Sequence, residues 1–268
     1  FRFFVGSVLA LEPRARPVEG LDAAQLGSLY HHIFEQLYQA VADPADLDQL
    51  VAALSGVATP ILDAAPTEQQ FRPTAWWART RVEIVENVRR SLTALDALRE
   101  GFVPFAYEAR FGLESYPPLV IRDGADSFRL RGLIDRVDRA PDGRVRIIDY
   151  KTGGASAFTT TNVKKGKKLQ LPLYALAAQE ALDLGNVSDG FYWHIRAAEA
   201  SSFTLAKFAD KEAGLFGPAG AMQTAVTHAW EAVRGARQGY FVPTPPDDGC
   251  PAYCPAASFC WHYQPKQW

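Results

Sequence analysis

The sequence predicts an α/β fold in which a mixed central sheet is flanked by helices. Apolar residues recur at helical spacing through the first hundred residues, whereas residues 102–151 contain several segments with strand character. A further helix at 169–183 separates these strands from another at 190–197. Strands grouped together with an inserted helix are typical of a mixed sheet. We expect one domain over residues 1–268, made of a helical region (1–100), a core (101–215), and a C-terminal helix with a cysteine-rich tail (216–268).

Composition restricts the class of protein. With 48% hydrophobic residues and a net charge of −2, the chain is too apolar and too weakly charged for a disordered protein. The same balance argues against binding nucleic acid through overall charge, although it allows a local basic site. Three cysteines are a poor basis for disulfides, which predicts a reducing compartment, the cytoplasm. No apolar run approaches the roughly 20 residues of a membrane span, so we expect no membrane partner.

Three helices are predicted in the N-terminal region. The first covers residues 22–42, because apolar side chains such as Leu29 and Ile33 recur there on one helix face. The second covers 45–56, and the third covers 74–99. The chain begins with Phe1 and has Met222 as its only methionine, so we expect it to be a fragment of a longer polypeptide.

The core is predicted to alternate between strands and helices. Its expected strands are Phe102–Phe111, Leu119–Arg122, Phe128–Arg139, Arg144–Lys151, 190–197 and 201–207, and its expected helices are 169–183 and 217–238. The turn Pro141-Asp142-Gly143 joins two of these strands into a hairpin, with glycine at the left-handed position.

This hairpin is predicted to bring two carboxylates together. With a three-residue loop, Val137 opposes Ile147 and Asp135 opposes Asp149, at about 5 Å between Cβ atoms, while Lys151 shares that face. Like charges at this distance need a shared proton, a cation or wide solvent exposure. A hard cation such as Mg²⁺ or Mn²⁺ suits carboxylate oxygens. The alternative is an exposed hairpin with ordinary surface charges, Asp138 and Arg139 among them.

Two segments of the hairpin carry a family resemblance. The segment from Gly132 to Asp138, followed by Asp149-Tyr150-Lys151-Thr152-Gly153, resembles the signature of PD-(D/E)xK nucleases in its RecB-family form. The resemblance implies a restriction-endonuclease-like core, which makes residues 101–215 the catalytic core. It also implies that Asp135, Asp149 and the carbonyl of Tyr150 bind divalent metal, and that Lys151 assists the attacking water.

Further positions extend the resemblance to the flanking helices. Gly27, His31 and Glu35 stand four residues apart and resemble the family's helical motif, which implies that His31 is a metal ligand. Gln170 and Tyr174 resemble its Gln-x-x-x-Tyr motif, which implies that both serve the active site. Without the resemblance, His31 is a structural or surface residue, Tyr174 belongs to the core and Gln170 lies near a helix cap. Glu108 matches an additional metal-associated acid of some relatives, or is an exposed strand residue.

Four lysines precede the helix at 169–183: Lys164, Lys165, Lys167 and Lys168. In a flexible loop beside the active-site motif, they are candidates for binding DNA phosphates, and such binding weakens with salt. The alternative is an ordinary solvated face.

All three cysteines lie in the tail, at Cys250, Cys254 and Cys260. Clustered thiolates are typical metal ligands, and His262 could complete a zinc site. Three unbound thiols are the other alternative. The tail also resembles the AddB-type branch of these nucleases and the related CRISPR-associated exonucleases. That resemblance implies a 4Fe–4S cluster, whose fourth cysteine would lie just before Phe1, outside this chain, or be replaced. The segment Phe1-Arg2-Phe3-Phe4 matches the N-terminal part of the pattern.

The resemblance implies a Mg²⁺- or Mn²⁺-dependent DNA exonuclease domain. Its expected partners are DNA and a helicase–nuclease subunit or an attached helicase-like domain, in double-strand break repair and recombination. Two alternatives stay open: a non-catalytic DNA-binding scaffold with the same fold, and a stand-alone CRISPR-associated-type iron–sulfur exonuclease.

Overall fold

The structure, a computed structural model, describes residues 3–11, 20–246, 249–250 and 254–265. The chain divides into two compact units. The larger unit is Val18–Ala229, and the smaller unit combines Phe1–Pro17 with Trp230–Trp268. The single domain expected from the sequence therefore stays a prediction.

Three helices open the larger unit: α1 (Ala23–Ala40), α2 (Leu47–Glu68) and α3 (Trp77–Ala97). Asp22 begins α1 in a capping box, in which its side chain accepts from the Gln25 N–H and the Gln25 side chain accepts from the Asp22 N–H. Asp46 caps α2 in a related way. The apolar faces of the three helices form a common core, with Ile33, Leu54, Leu62, Val88 and Leu92 almost fully buried.

Helix α2 differs from its predicted range, because it continues twelve residues beyond position 56 and contains Pro60 and Pro66. Its buried face persists through Ala58, Leu62 and Ala65, so packing against α1 and α3 outweighs the two backbone donors lost at the prolines. By length and composition alone, α2 would also suffice to cross a membrane. The sequence-based statement that no segment approaches this length was wrong for α2, although one of its faces is buried in the core.

The central sheet confirms the predicted mixed α/β architecture. Its strands are β1 (Val103–Phe111), β4 (Gly132–Arg139), β5 (Val145–Lys151), β6 (Val187–His194) and β7 (Glu199–Thr204), in the order β1-β4-β5-β6-β7. Only β5 and β6 are parallel, and the other neighbours are antiparallel. Two hairpins lie outside this sheet: β2 (Leu119–Asp123) with β3 (Asp126–Leu130), and β8 (Ala209–Asp210) with β9 (Leu215–Phe216).

Three further helices complete the order of elements: α4 (Thr160–Lys164), α5 (Gln170–Glu180) and α6 (Gly217–Arg237). Helix α5 packs on β5 and β6, on the face of the sheet opposite to α1–α3. The predicted strand Phe128–Arg139 is divided at Arg131, because its first half pairs with β2 whereas its second half pairs with β1 and β5.

The register of the β4–β5 hairpin is the predicted one where the strands pair. Val137 lies opposite Ile147, and Gly143 has a left-handed backbone at φ +84°. The pairing stops at Arg136 and Ile148, one residue before Asp135. There the Asp135 carboxylate accepts a hydrogen bond from the Tyr150 N–H at 2.6 Å.

The face of this hairpin that contacts α1–α3 carries a buried ionic network. Asp138 is fully buried and binds two guanidinium groups, those of Arg136 (2.5 Å) and Arg146 (3.1 Å). Arg136 also donates to the Tyr38 hydroxyl on α1. The alternative interpretation of Asp138 as a surface charge was therefore wrong: position 138 points into the core, where only a paired carboxylate is tolerated.

The smaller unit contains the N-terminal segment and the cysteine tail. A π-helical turn spans Phe4–Val8, and the Phe4 ring stacks on Phe241 with centroids 4.8 Å apart. The backbone of Cys250 pairs with that of Pro265 in an isolated parallel β-bridge. All three cysteines are free thiols. Phe1 and Arg2 of the N-terminal motif lie outside the described residues.

Candidate metal and active site

One helix and two strands bring three ligand side chains together. His31 comes from α1, Glu108 from β1 and Asp135 from β4, and one ligand atom of each lies within 4.8 Å of the others. The His31 Nδ1 is 3.3 Å from Asp135 Oδ1 and 3.6 Å from Glu108 Oε1. Among the described residues this is the only such group. We call these three residues the metal cluster.

Glu108 joins the metal cluster through an unusual backbone. Its φ of +45° is left-handed, although it lies inside a strand, and such a conformation costs on the order of 1–3 kcal/mol. Its side chain is only 11% exposed and faces His31. The interpretation of Glu108 as an exposed strand residue was therefore wrong. The structure places it beside the two residues that the sequence assigned to metal.

The charge of His31 is set by its acidic neighbours. Burial alone would lower the pKa of the imidazole, but hydrogen bonds and charges from Asp135 and Glu108 outweigh it and raise the pKa to about 10. In the metal-free protein, His31 is therefore a cation between two carboxylates. Binding of a metal at His31 would release this proton.

Asp149 lies next to the metal cluster, in the most buried position of the site. Its side chain is 0% exposed, and its Oδ1 receives no hydrogen bond from the described residues. Burial first, and then the charge of Asp135, raise the pKa of this carboxyl to about 7, while Lys151 opposes the shift. Lys151 Nζ forms an ion pair with Asp149. Asp149 is not itself part of the metal cluster, so its predicted ligand role stays a prediction.

Lys151 begins a chain of contacts to α5. Its ammonium donates to Gln170 Oε1 at 3.1 Å, and the Gln170 amide donates to the Tyr174 hydroxyl at 2.9 Å. Gln170 is exposed and Tyr174 half-buried, and burial raises the pKa of the phenol. The structure therefore brings together the three residues that the motifs singled out. Tyr150, by contrast, stacks its ring on Phe34 at 4.4 Å, and the ligand role of its carbonyl stays a prediction.

An open cavity of about 470 Å³ lies beside His31. It is lined by residues of α1, including Gly27 and Glu35, and by Glu108 and Leu133. Glu35 is paired with His32 at 3.6 Å, and both side chains line this cavity. The cavity gives the metal cluster access to solvent and to a substrate.

The lysines lie in a more ordered segment than the predicted flexible loop. Lys164 ends helix α4, which Thr159 caps, and its ammonium is 2.9 Å from Asp210. The Lys164 carbonyl contacts His228 Nε2 at 2.8 Å. The loop prediction was wrong for Lys164, because capping and these two contacts hold it. Of the other three, Lys165 and Lys167 are exposed, and Lys168 lies 5.0 Å from the Phe158 ring.

Two residues of β6 beside Lys151 were missed from the sequence. The Tyr192 hydroxyl accepts from the Leu171 N–H at 3.3 Å, and its ring lies 5.6 Å from Lys151 Nζ. His194 is buried and contacts the carbonyl of Gly153, just beyond Lys151, at 3.1 Å. Both lie in parallel register with β5, at positions 149 and 151. The signal was the alternation of the strand, which places 192 and 194 on one face.

A mixed sheet that carries acidic residues, a lysine and a helical histidine at one end has the side chains needed to hold a divalent cation. Comparison with protein families agrees: residues 1–261 match the PD-(D/E)XK nuclease superfamily. The chain belongs to this superfamily, which confirms the resemblance seen in the sequence.

Curated relatives are similar to most of the chain. An ATP-dependent helicase/deoxyribonuclease subunit from Moorella thermoacetica is 31% identical over 193 residues, which cover 68% of this chain and 16% of the relative. The corresponding protein from Thermoanaerobacter sp. (strain X514), which has the same name, is 28% identical over 207 residues, covering 69% and 17%. The chain thus matches about a sixth of the length of these relatives.

Proposed function

We propose that this chain is a divalent-metal-dependent deoxyribonuclease domain. The observation that carries the proposal is the metal cluster together with Asp149 and Lys151. It combines an imidazole, three carboxylates and one ammonium at the end of β4 and β5, next to an open cavity. Membership of the nuclease superfamily supports the same reaction.

The residues present fit a hard divalent cation. Oxygen ligands from Glu108 and Asp135 with one imidazole suit Mg²⁺ or Mn²⁺. One Asp149 oxygen pairs with Lys151, whereas the other, Oδ1, is buried without a hydrogen-bond donor among the described residues and is available to a bound cation. When bound, such an ion supplies charge for the phosphate and lowers the pKa of a water molecule.

The remaining side chains would orient the reaction. The Lys151 ammonium is held between Asp149 and Gln170, so its charge is fixed before a substrate binds. A preorganised charge of this kind stabilises negative charge that develops in the transition state, and it can orient the attacking water. Tyr174 fixes Gln170 in turn. Each of these roles follows from contacts around Lys151.

The biological setting is proposed from the relatives. Their name joins a helicase to a deoxyribonuclease, so we propose that this domain digests DNA as an exonuclease with a helicase-like partner or attached domain. Double-strand break repair and recombination in the cytoplasm would be the process.

We also propose that the cysteine tail binds a 4Fe–4S cluster, with a fourth ligand outside the chain. In the described residues the thiols of Cys250, Cys254 and Cys260 are not gathered as ligands of a single ion. A zinc site with His262 is the competing assignment. Iron and acid-labile sulfide in anaerobically purified protein would support the cluster, whereas stoichiometric zinc would contradict it.

The nuclease proposal is tested by Mg²⁺-dependent degradation of linear DNA. Asp135→Asn and Lys151→Ala should each lose activity, whereas Lys207→Ala, at an exposed lysine on another surface, should keep it. Titration calorimetry with Mn²⁺ should detect binding in the wild type and weaker binding in Asp135→Asn. Full activity in both variants contradicts the nuclease. A wild type that binds DNA, but neither binds Mn²⁺ nor cleaves, would support a non-catalytic scaffold.

A further inference from the structure

The β2–β3 hairpin has one apolar face and one basic face. Residues opposite each other in this hairpin point to the same side, so alternate positions define two faces. Leu119 and Ile121 are buried, and they pair with Leu130 and Phe128 on the inner face. This inner face lies against α5.

The outer face carries three arginines. Arg122 and Arg129 lie at the positions that alternate with the inner residues and therefore point outward. Arg131, directly after β3, continues the same alternation. All three are exposed, and none forms an ion pair with an acidic side chain in the part of the chain that the structure describes. The acidic residues of the hairpin, Asp123 and Asp126, fall in the inner set instead. We call Arg122, Arg129 and Arg131 the arginine face.

The three arginines share one side of one short hairpin. Elsewhere some exposed arginines pair with acids, as Arg79 with Glu83 (3.0 Å) and Arg110 with Glu114 (3.2 Å), whereas Arg90 donates to backbone carbonyls. Solubility alone does not require three unpaired guanidinium groups on one side of a short hairpin. Unpaired guanidinium groups are instead suited to bind phosphate.

The arginine face leads directly into the candidate metal site. Arg131 is four residues from Asp135, so their Cα atoms are separated by at most about 14 Å. Gly132, between them, packs closely enough on Tyr174 that an added Cβ would lie 3.2 Å from its ring. At its other side, Arg131 is fixed against Gly112, where an added Cβ would lie 2.8 Å from the Arg131 Cβ. The base of this side chain is therefore positioned by the same packing as the catalytic strand.

We propose that the arginine face binds the phosphates of a single DNA strand next to those held at the metal site. The inference rests on the proposed function. Arg129 and Arg131 are two residues apart, which spaces them by about 6.7 Å along an extended chain, comparable to neighbouring phosphates of an extended nucleic-acid strand. A two-stranded hairpin presents one narrow line of charge, which fits one strand better than a duplex.

The test measures DNA binding without cleavage. A variant with Arg122→Gln, Arg129→Gln and Arg131→Gln is compared with wild type by fluorescence anisotropy, in EDTA, on a labelled single-stranded oligonucleotide and on a blunt duplex of equal length. We expect affinity for the single strand to fall about tenfold, and the slope of log K against log salt to decrease by about 2 between about 50 and 200 mM salt.

A matched control carries the same change in net charge. Arg79→Gln, Arg89→Gln and Arg144→Gln remove three exposed arginines from other surfaces, and this variant should bind within about twofold of wild type. An equal loss in both variants, no loss in the hairpin variant, or a loss confined to the duplex would overturn the proposal. If the triple variant unfolds, the three single variants replace it, and each should decrease the salt slope by about 0.7.

The outcome separates this inference from the nuclease proposal. A wild type that binds the oligonucleotide through the arginine face but does not cleave it in Mg²⁺ would refute the nuclease and leave the binding face intact. A wild type that cleaves, with a hairpin variant that binds normally, would refute the binding face alone.

Discussion

Two clusters of charge lie on opposite faces of the same β4–β5 hairpin, and they are built differently. On one face, Asp138 is fully buried between Arg136 and Arg146, so every charge has a partner. On the other face, Asp135, Asp149 and Glu108 outnumber the cations His31 and Lys151, and Asp149 Oδ1 receives no hydrogen bond from the described residues.

This difference indicates that the ionic network around Asp138 serves the stability of the fold, whereas the cluster around Asp135 and Asp149 serves ligand binding. A closed ionic network neutralises itself, and it is destabilised when any member is removed. A cluster with excess negative charge is held at a cost, visible in the pKa of Asp149 at about 7 and in the left-handed backbone of Glu108. Such a cost is typical of sites that bind a cation.

The largest expected effect is on activity, from Asp149→Asn. The change removes a charged candidate ligand and the ion-pair partner of Lys151, so we expect DNA degradation in Mg²⁺ to fall by roughly 10²–10⁴-fold. Single-turnover cleavage of a labelled oligonucleotide measures it. Asp142→Asn, in the exposed turn of the same hairpin, is the control and should stay active.

Substitutions in the ionic network around Asp138 should change the stability of the protein. Asp138→Asn leaves two buried guanidinium groups without a carboxylate, so the free energy of unfolding should decrease by about 3–5 kcal/mol. Urea denaturation of the metal-free protein measures the decrease. A loss below about 1 kcal/mol, the range of surface pairs, would show that this network is not a stabilising one.

Asp149→Asn should stabilise the metal-free protein, in contrast to Asp138→Asn. Above the carboxyl pKa of about 7, the wild type carries a buried charge that the amide lacks. The gain in unfolding free energy should be on the order of 1–2 kcal/mol, reduced by the lost pair with Lys151. If both substitutions destabilise equally, the distinction between the two clusters fails.

The pH dependence of stability should sharpen the same contrast. The folded pKa of Asp149 lies above its ordinary value of 3.8, so the folded state binds more protons between pH 3.8 and about 7. Its contribution to stability is therefore complete below pH 3.8 and is lost as the pH rises through about 7. Thermal unfolding in EDTA should show this decline in the wild type and a weaker one in Asp149→Asn. Identical pH profiles would contradict the assignment.

The smallest effect is expected at the end of the Lys151 chain. Tyr174→Phe removes the hydroxyl that accepts from Gln170, so activity should fall about tenfold or less, with a stability change near 1 kcal/mol. Tyr116→Phe, at an exposed tyrosine, is the matched control. A loss as large as that of Asp149→Asn would instead give Tyr174 a direct role in the reaction.

The sequence predicted the parts of the fold that depend on periodicity. The hairpin register followed from a three-residue turn with glycine, and the shared face of Lys151 and Asp149 followed from alternation. The burial of side chains by distant segments could not be predicted from the sequence. Asp138 and Asp149 are the same residue type, and only the packing of α1–α3 and α5 decides their partners. Helix α2 continues past its predicted end because its packing in the helical core extends through Leu62 and Ala65, on both sides of Pro60 and up to Pro66. The position of the Glu108 side chain beside His31 depends on a left-handed backbone conformation, which the residue type does not predict.

The alternation of the hairpin has a consequence for how its length can vary. Asp135 and Arg136 are adjacent in sequence but belong to different clusters, and the neighbours Asp149 and Tyr150 likewise point to opposite faces of the sheet. Inserting or deleting a single residue within either strand would exchange the two faces, moving the ionic network to the side of α5 and the carboxylates of the metal site to the side of α1–α3. A substitution in β4 or β5 changes one member of one cluster, whereas a one-residue insertion or deletion would disrupt both clusters at once. Length variation in relatives should therefore be confined to the exposed turn around Asp142.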